Sequence, residues 1–231
     1  MPIRDDLILR MLDQVGAVIA RVLTGRAPDD LAEAERELAG AYVELTGSGR
    51  ELVGRLSSEQ LLAILGAPSR FNRERGYVLA RLLEADAQLS EIEAGEDVAA
   101  ASDVRRLKAL DLYLEAARAG LDEEDLDERV QGLLAALSVV ALPEASHWRT
   151  FDHAVERGRY AEAEDRLFEG VQRFGAGEDV AVRGRAFYRD LEGKPDAALE
   201  EGSLPRGEVA EGRQAFEREV ARAAGPGEGS R

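Results

Sequence analysis

The stretch that decides the fold is His147-Trp-Arg-Thr-Phe151, followed by Gly158-Arg-Tyr-Ala-Glu-Ala-Glu-Asp-Arg-Leu-Phe168. Apolar residues recur at helical spacing on both sides of Gly158, and a glycine permits the left-handed backbone of a tight turn. Tyr160 can pack at the corner, and the small Ala163 lets two helix backbones approach closely. The stretch therefore predicts two antiparallel helices joined by a tight turn, a helical hairpin.

The rest of the chain shows the same helical period between clear breaks. Ser57 and Gln60 have the spacing of a capping box, which predicts a short helix from Ser57 to Gly66. The acidic run from Asp122 to Glu128 predicts another helix start, because negative charge is favourable at the positive end of the helix dipole. No segment shows convincing strand alternation, so we predict an all-α fold of antiparallel helical hairpins.

The predicted helices fall into two groups on either side of Pro143. We expect an N-terminal helical bundle over residues 1–140 and helical hairpins over residues 141–223. The Gly-rich residues 224–231 are predicted to be a disordered tail.

The first predicted helix carries an unusually wide apolar stripe. Its members recur every three or four residues: Leu7, Ile8, Met11, Leu12, Val15, Val18, Ile19, Val22 and Leu23. Burial within one chain is the simpler interpretation, and a homodimer interface through this helix is the alternative.

Composition and charge limit the classes of partner. The 231-residue chain is 45% hydrophobic, enough for a substantial core, and its formal net charge is −16. Such a charge repels nucleic acid and anionic membrane surfaces unless a local arginine patch overrides it. We therefore expect neither nucleic acid nor a membrane as a partner.

The chain contains no cysteine, which excludes disulfides, thiol catalysis and thiolate metal sites. No apolar run approaches the ~20 residues of a membrane-spanning helix. Asp5 and Asp6 stand where a signal peptide needs positive charge. A cytoplasmic location is expected.

A search for chemistry finds no catalytic, cofactor or metal site. The two histidines, His147 and His153, are six residues apart, whereas metal-binding pairs on one helix are three or four apart. No Gly-x-Ser-x-Gly turn occurs, and Gly193-Lys194 lacks the other residues of a phosphate-binding loop. We predict no cofactor.

A basic cluster opens the helix after Pro68. Arg70 and Arg73 share one helix face, as do Arg73 and Tyr77, and their guanidinium groups could bind a carboxylate or phosphate of a partner peptide. Pairing with nearby acidic side chains at the surface is the alternative, and each such pair contributes little stability.

Gly158, Tyr160 and Ala163 have the spacing of the second helix of a tetratricopeptide unit, and the hairpin resembles that unit. Gly193 and Ala198 lie 35 residues after Gly158 and Ala163, close to the usual period of 34. The resemblance is incomplete, since the helix-A tryptophan stands one residue too close to the tyrosine.

The whole chain also resembles an uncharacterised bacterial family described as a tetratricopeptide-like domain of unknown function. The likeness runs from the opening Ile3–Asp6 through Phe187-Tyr188 to Leu204–Val209. It implies a helical fold and supplies no activity, ligand or catalytic residue.

Stacked hairpins form concave surfaces that can receive a peptide. We therefore expect a non-catalytic protein–protein interaction module, with a groove near Trp148, Phe151 and Tyr188 unless these aromatics belong to the core. The alternatives are a helical homodimer with a structural role and, least supported, a carboxylate-based metal-dependent enzyme.

Overall fold

The computed structural model describes residues 15–17, 28–67, 70–94 and 99–223. This part of the chain is helical with no strand, which confirms the all-α prediction. Residues 15–17 are helical, and the helices with defined bounds are α1 (Pro28–Thr46), α2 (Arg50–Arg55), α3 (Ser58–Ile64), α4 (Arg73–Ala94), α5 (Ala99–Arg118), α6 (Leu126–Ala136), α7 (Glu144–Glu156), α8 (Tyr160–Phe174), α9 (Glu178–Glu192), α10 (Asp196–Glu201) and α11 (Arg206–Ala223).

The chain divides into two compact units between Leu142 and Pro143. Each unit has its own hydrophobic core.

Unit 1 is built on the antiparallel pair α4 and α5. An ion pair joins Arg106 to Glu91 at 2.6 Å, and the Tyr113 hydroxyl donates to Glu84, so the two helices run in opposite directions. The largest fully buried side chains of unit 1 are Tyr42, Tyr113, Leu38, Leu79, Leu82, Leu83, Leu89, Leu110, Leu112 and Leu126. Burying each leucine contributes about 1.5–3 kcal/mol before the entropy cost of ordering it.

The predicted capping box begins α3. The Gln60 backbone N–H donates to Ser57 Oγ at 3.2 Å, and the Ser57 N–H donates to Gln60 Oε1 at 2.8 Å. Two N–H groups that lack helical partners are thereby satisfied, and the short helix has a defined start.

The acidic helix start lies within the predicted run. Helix α6 begins at Leu126, and Asp127 and Glu128 lie in its first turn. Asp125 is the N-cap residue but makes no capping hydrogen bond. Its carboxylate instead accepts hydrogen bonds from Tyr77 and Arg129, because tertiary contacts compete with the local cap for the same oxygens.

Unit 2 begins with the hairpin of α7 and α8. Gly158 has φ +71°, the left-handed conformation expected of the turn glycine. The close approach of the two helices depends on Gly170 as well as on the buried Ala163. A Cβ at Gly170 would lie 2.2 Å from the Trp148 ring.

Two predictions concern residues outside the described part of the chain. The amphipathic segment Leu7–Leu23 is described only at residues 15–17, where Val15 is fully buried. The tail 224–231 lies wholly outside it. Among the described helices, none combines the length and the apolar character needed to cross a membrane.

Candidate partner-binding surface

The structure separates the three residues of the predicted patch in unit 1. Arg73 donates from Nη1 to the Gly120 carbonyl at 2.6 Å, beyond the end of α5, and from Nε to Glu74 at 2.9 Å. Tyr77 is 3% exposed and its hydroxyl donates to Asp125. Arg70 is exposed and has no ion pair within the described part. Only Arg70 is thus left for an external ligand.

Behind Tyr77 lies a polar network that joins α4, α5 and α6. Arg129 donates to Asp125 from Nε at 2.6 Å and to Glu84 from Nη1 at 3.1 Å, and Glu84 also accepts from the Tyr113 hydroxyl. Burial, then the neighbouring Glu84, raises the pKa of Tyr113. Burial alone would raise the pKa of Asp125, but hydrogen bonds from Tyr77 and Arg129 lower it. The network holds three helices together.

The three aromatic candidates lie in the core of unit 2. Trp148, Phe151 and Tyr188 are 9%, 4% and 1% exposed. The Arg183 guanidinium covers Trp148 at 5.2 Å from the ring centroid and forms an ion pair with Asp152. Of the two alternatives, this burial favours a core role over the lining of a groove.

Tyr188 makes a polar contact at the edge of this core. Its hydroxyl donates to Glu164 Oε1 at 2.7 Å, beneath Gly212 of α11. A Cβ at Gly212 would lie 2.0 Å from that oxygen, so the glycine permits the approach. Burial raises the pKa of Glu164, although the bond from Tyr188 opposes the shift.

An open groove lies between α9 and α11 on the surface of unit 2. Its volume is about 550 Å³, and it is lined by Glu192, Ala210, Arg213, Gln214, Glu217 and Arg218. Sequence reasoning did not identify this site.

Close packing below the groove brings the two helices together. Gly184 of α9 leaves space for Phe216 of α11, since a Cβ at Gly184 would lie 2.1 Å from the Phe216 ring. Phe216 is fully buried, and Val209 and Val220 bury the same side of α11. The polar faces of both helices are consequently left at the surface.

Two ion pairs cross from α9 to α11. Arg185 binds Glu217 bidentately, with Nε to Oε1 at 2.9 Å and Nη2 to Oε2 at 2.9 Å. Arg213 pairs with Glu192. Both glutamates line the groove. Their negative charges are balanced by the two arginines that bind them.

Two further arginines on these helices have no carboxylate partner in the part of the chain that the structure describes. Arg218 lines the groove and is exposed. Arg189 is exposed on α9, four residues after Arg185 and three before Glu192, so it shares their helix face. The groove thus presents guanidinium groups that are available for an anion.

The spacing of Arg185 and Arg189, and of Arg213 and Glu217, is the available sequence signal for this surface. It shows that each set shares a helix face. It does not show that the two faces meet, because that depends on the packing of α11 against α9.

His147 is a buried titratable residue of unit 2. Its Nε2 donates to the Arg166 carbonyl at 2.8 Å, while Nδ1 lies 3.9 Å from Glu169 and has no hydrogen bond to any described residue. Burial lowers the pKa of this imidazole. A search of the described residues finds no group of three or more His, Cys, Asp or Glu side chains able to hold a metal ion.

No curated protein and no solved structure matches the chain. A family model described as a family of unknown function (DUF6483) matches residues 2–220, nearly the whole sequence. The expected membership in a family of unknown function is confirmed, and the chain belongs to the DUF6483 family.

Proposed function

We propose that this protein is a non-catalytic protein–protein interaction module that binds a segment of another protein in the groove between α9 and α11. The observation that carries the proposal is the pair of exposed arginines, Arg189 and Arg218, beside a groove whose glutamates are already paired. An arginine fork without an internal partner is suited to a planar anionic group on a ligand.

We further propose that unit 2 is tetratricopeptide-like. The 35-residue spacing of Gly158 and Gly193 supports this, as does the contact of Tyr160 with Gly202, where a Cβ would lie 2.3 Å from the Tyr160 ring. Such repeats present surfaces for other polypeptides.

The absence of cysteine and the strongly acidic composition support the remaining part of the proposal, a location in the bacterial cytoplasm. Fractionation of the source cells, with the protein detected by antibody, tests this location. Recovery in a membrane or extracellular fraction would contradict it.

The function is tested by affinity capture from native lysate with the full chain as bait, followed by mass spectrometry. We expect one protein to be enriched by the wild type and by Arg36→Ala, and to be lost with the double variant Arg189→Ala/Arg218→Ala. Arg36 is an exposed arginine of α1 and makes a matched control. Each variant is first checked for an unchanged helical circular dichroism spectrum.

Light scattering on the purified chain distinguishes the interaction module from the main alternative, a structural homodimer. A dimer that persists at low concentration, together with no captured partner, would contradict the adaptor and favour a structural homodimer. Turnover of a substrate by the purified chain would contradict the non-catalytic proposal.

A further inference from the structure

We infer that the occupant of the groove is an acidic peptide segment of the partner, whose carboxylates pair with Arg189 and Arg218. This inference rests on the proposed interaction function and names the chemistry of the partner. It is carried by the charges and the geometry of the two facing helix surfaces.

The local charge has the opposite sign to that of the whole protein. The facing surfaces hold the arginines Arg185, Arg189, Arg213 and Arg218. Among the described residues, the carboxylates that line the groove are those of Glu192 and Glu217, and each is bound to one arginine. Two positive charges therefore remain in a chain of net charge −16.

Glu211, a further acid on the exposed side of α11, does not cancel this excess. Glu211 is exposed, but it does not line the groove and stands seven residues before Arg218. Seven residues of helix span about 10 Å, comparable to the Debye length in physiological salt. Glu211 consequently weakens the local field without occupying Arg218.

The dimensions suit a polypeptide. The groove of about 550 Å³ lies within the usual range of concave ligand sites, and it is open, so that a chain can pass along it. Ala210 contributes little bulk, and the Gln214 amide can both donate to and accept from a peptide backbone. The site thus offers backbone contacts as well as charge contacts.

The same charges disfavour a nucleic acid as the occupant. A phosphate backbone carries regularly spaced charges far beyond one groove, and these would meet the acidic excess on the rest of the protein. A short peptide places its carboxylates only at the groove. Surface charges that oppose longer polyanions would thereby contribute to specificity.

The test uses the full chain and a fluorescein-labelled twelve-residue peptide with glutamates at helical three- and four-residue spacing on an alanine background. Its control replaces every glutamate by glutamine. Fluorescence anisotropy should show binding of the acidic peptide that weakens with added salt. We expect Arg189→Glu/Arg218→Glu to weaken that binding about tenfold or more, since two attractive contacts become repulsive.

Two variants sharpen the assignment. Arg36→Glu on α1 of unit 1 makes a charge change of the same kind at a residue that does not line this groove, and it should leave the affinity nearly unchanged. Glu211→Gln removes an exposed acid of α11 and should strengthen binding by roughly twofold. The neutral pair Arg189→Gln/Arg218→Gln serves in place of the reversal if the latter fails to fold.

The inference would be overturned by equal binding of the glutamine peptide, by an equal loss per reversed charge with Arg36→Glu, or by tighter binding of a single-stranded oligonucleotide. A dimer broken by Arg189→Glu/Arg218→Glu would make a second copy of this chain the occupant and would also overturn it. Failure here remains distinct from failure of the proposed function, since capture that is lost with Arg189→Ala/Arg218→Ala keeps the groove as the binding site and leaves only the acidic peptide rejected.

Discussion

Arg129 in unit 1 and Arg218 in unit 2 carry the same guanidinium group in opposite surroundings. Arg129 is held between Asp125 and Glu84, and both of these acids also accept a tyrosine hydroxyl. Arg218 is exposed beside an open groove and has no carboxylate partner in the described structure. The first arginine joins helices, whereas the second is available to a ligand. Residue type and net charge do not distinguish these roles; the packing around each side chain does.

The largest expected effect tests the claim that unit 1 uses its charges for stability. Asp86 is 2% exposed and accepts from Tyr42 at 3.2 Å and from Arg50 Nη2 at 2.6 Å, and Arg105 lies 3.2 Å away. We expect Asp86→Ala to lower the free energy of unfolding by about 3–5 kcal/mol, because it leaves these donors without their acceptor. Chemical denaturation measures it.

The matched control for Asp86 is Glu51→Ala, which breaks the exposed i,i+4 pair with Arg55. This change should cost no more than about 0.5 kcal/mol. Equal losses for the two variants would contradict the contrast between buried and exposed charge.

The second prediction concerns the packing that forms the groove. We expect Gly184→Ala to destabilise unit 2 by about 1–3 kcal/mol, because the new methyl group would lie 2.1 Å from the Phe216 ring. Thermal unfolding followed by circular dichroism provides the measurement. Gly207→Ala meets nothing within 4 Å and should instead stabilise α11 by about 0.5–1 kcal/mol. A neutral Gly184→Ala would show that the close approach is not required.

The third prediction tests the buried imidazole of His147 in unit 2. Because burial lowers the pKa of His147 in the folded state, the unfolded chain binds a proton more readily. Stability is then fully present above the unfolded pKa of about 6.5 and is lost as the pH falls below it. Urea midpoints at pH 7.5 and 5.5 should differ less for His147→Gln than for wild type. An unchanged difference would assign the pH dependence to other groups.

The smallest effect is expected at Glu164, whose pKa is raised in the folded state. A raised carboxyl pKa favours folding at low pH, and that contribution is lost as the pH rises through the folded value. Glu164→Gln should therefore raise stability at pH 7 by roughly a few tenths of a kcal/mol, since the group is partly exposed. The gain should disappear near pH 4, which differential scanning calorimetry at both pH values would reveal. A loss at pH 7 would instead identify the Tyr188 bond as dominant.

Local features could be predicted where the physical cause is local. The Ser57 and Gln60 capping box and the left-handed Gly158 turn follow from groups within a few residues of each other, and both are present. The role of Asp125 before α6 could not be predicted, because the distant Tyr77 donates to the carboxylate that the local rule assigns to a cap. The same limit applies to Arg73, which is adjacent to the end of α5 only after folding.

The candidate site shows this limit most clearly. Trp148, Phe151 and Tyr188 stand out in the sequence because aromatic residues are scarce. In the structure their side chains are buried in the core of unit 2. The arginines beside the groove are inconspicuous in a chain with many charged residues. They become a site only because Gly184 admits Phe216 and brings α11 against α9.

The sequence by itself determined an all-helical chain, its main turns and its acidic character, because these depend on periodicity, backbone freedom and composition. Tertiary structure alone decided which charges are paired and which are left at the surface. That choice depends on distances between residues far apart in the chain, and ion pairing and burial both vary steeply with those distances.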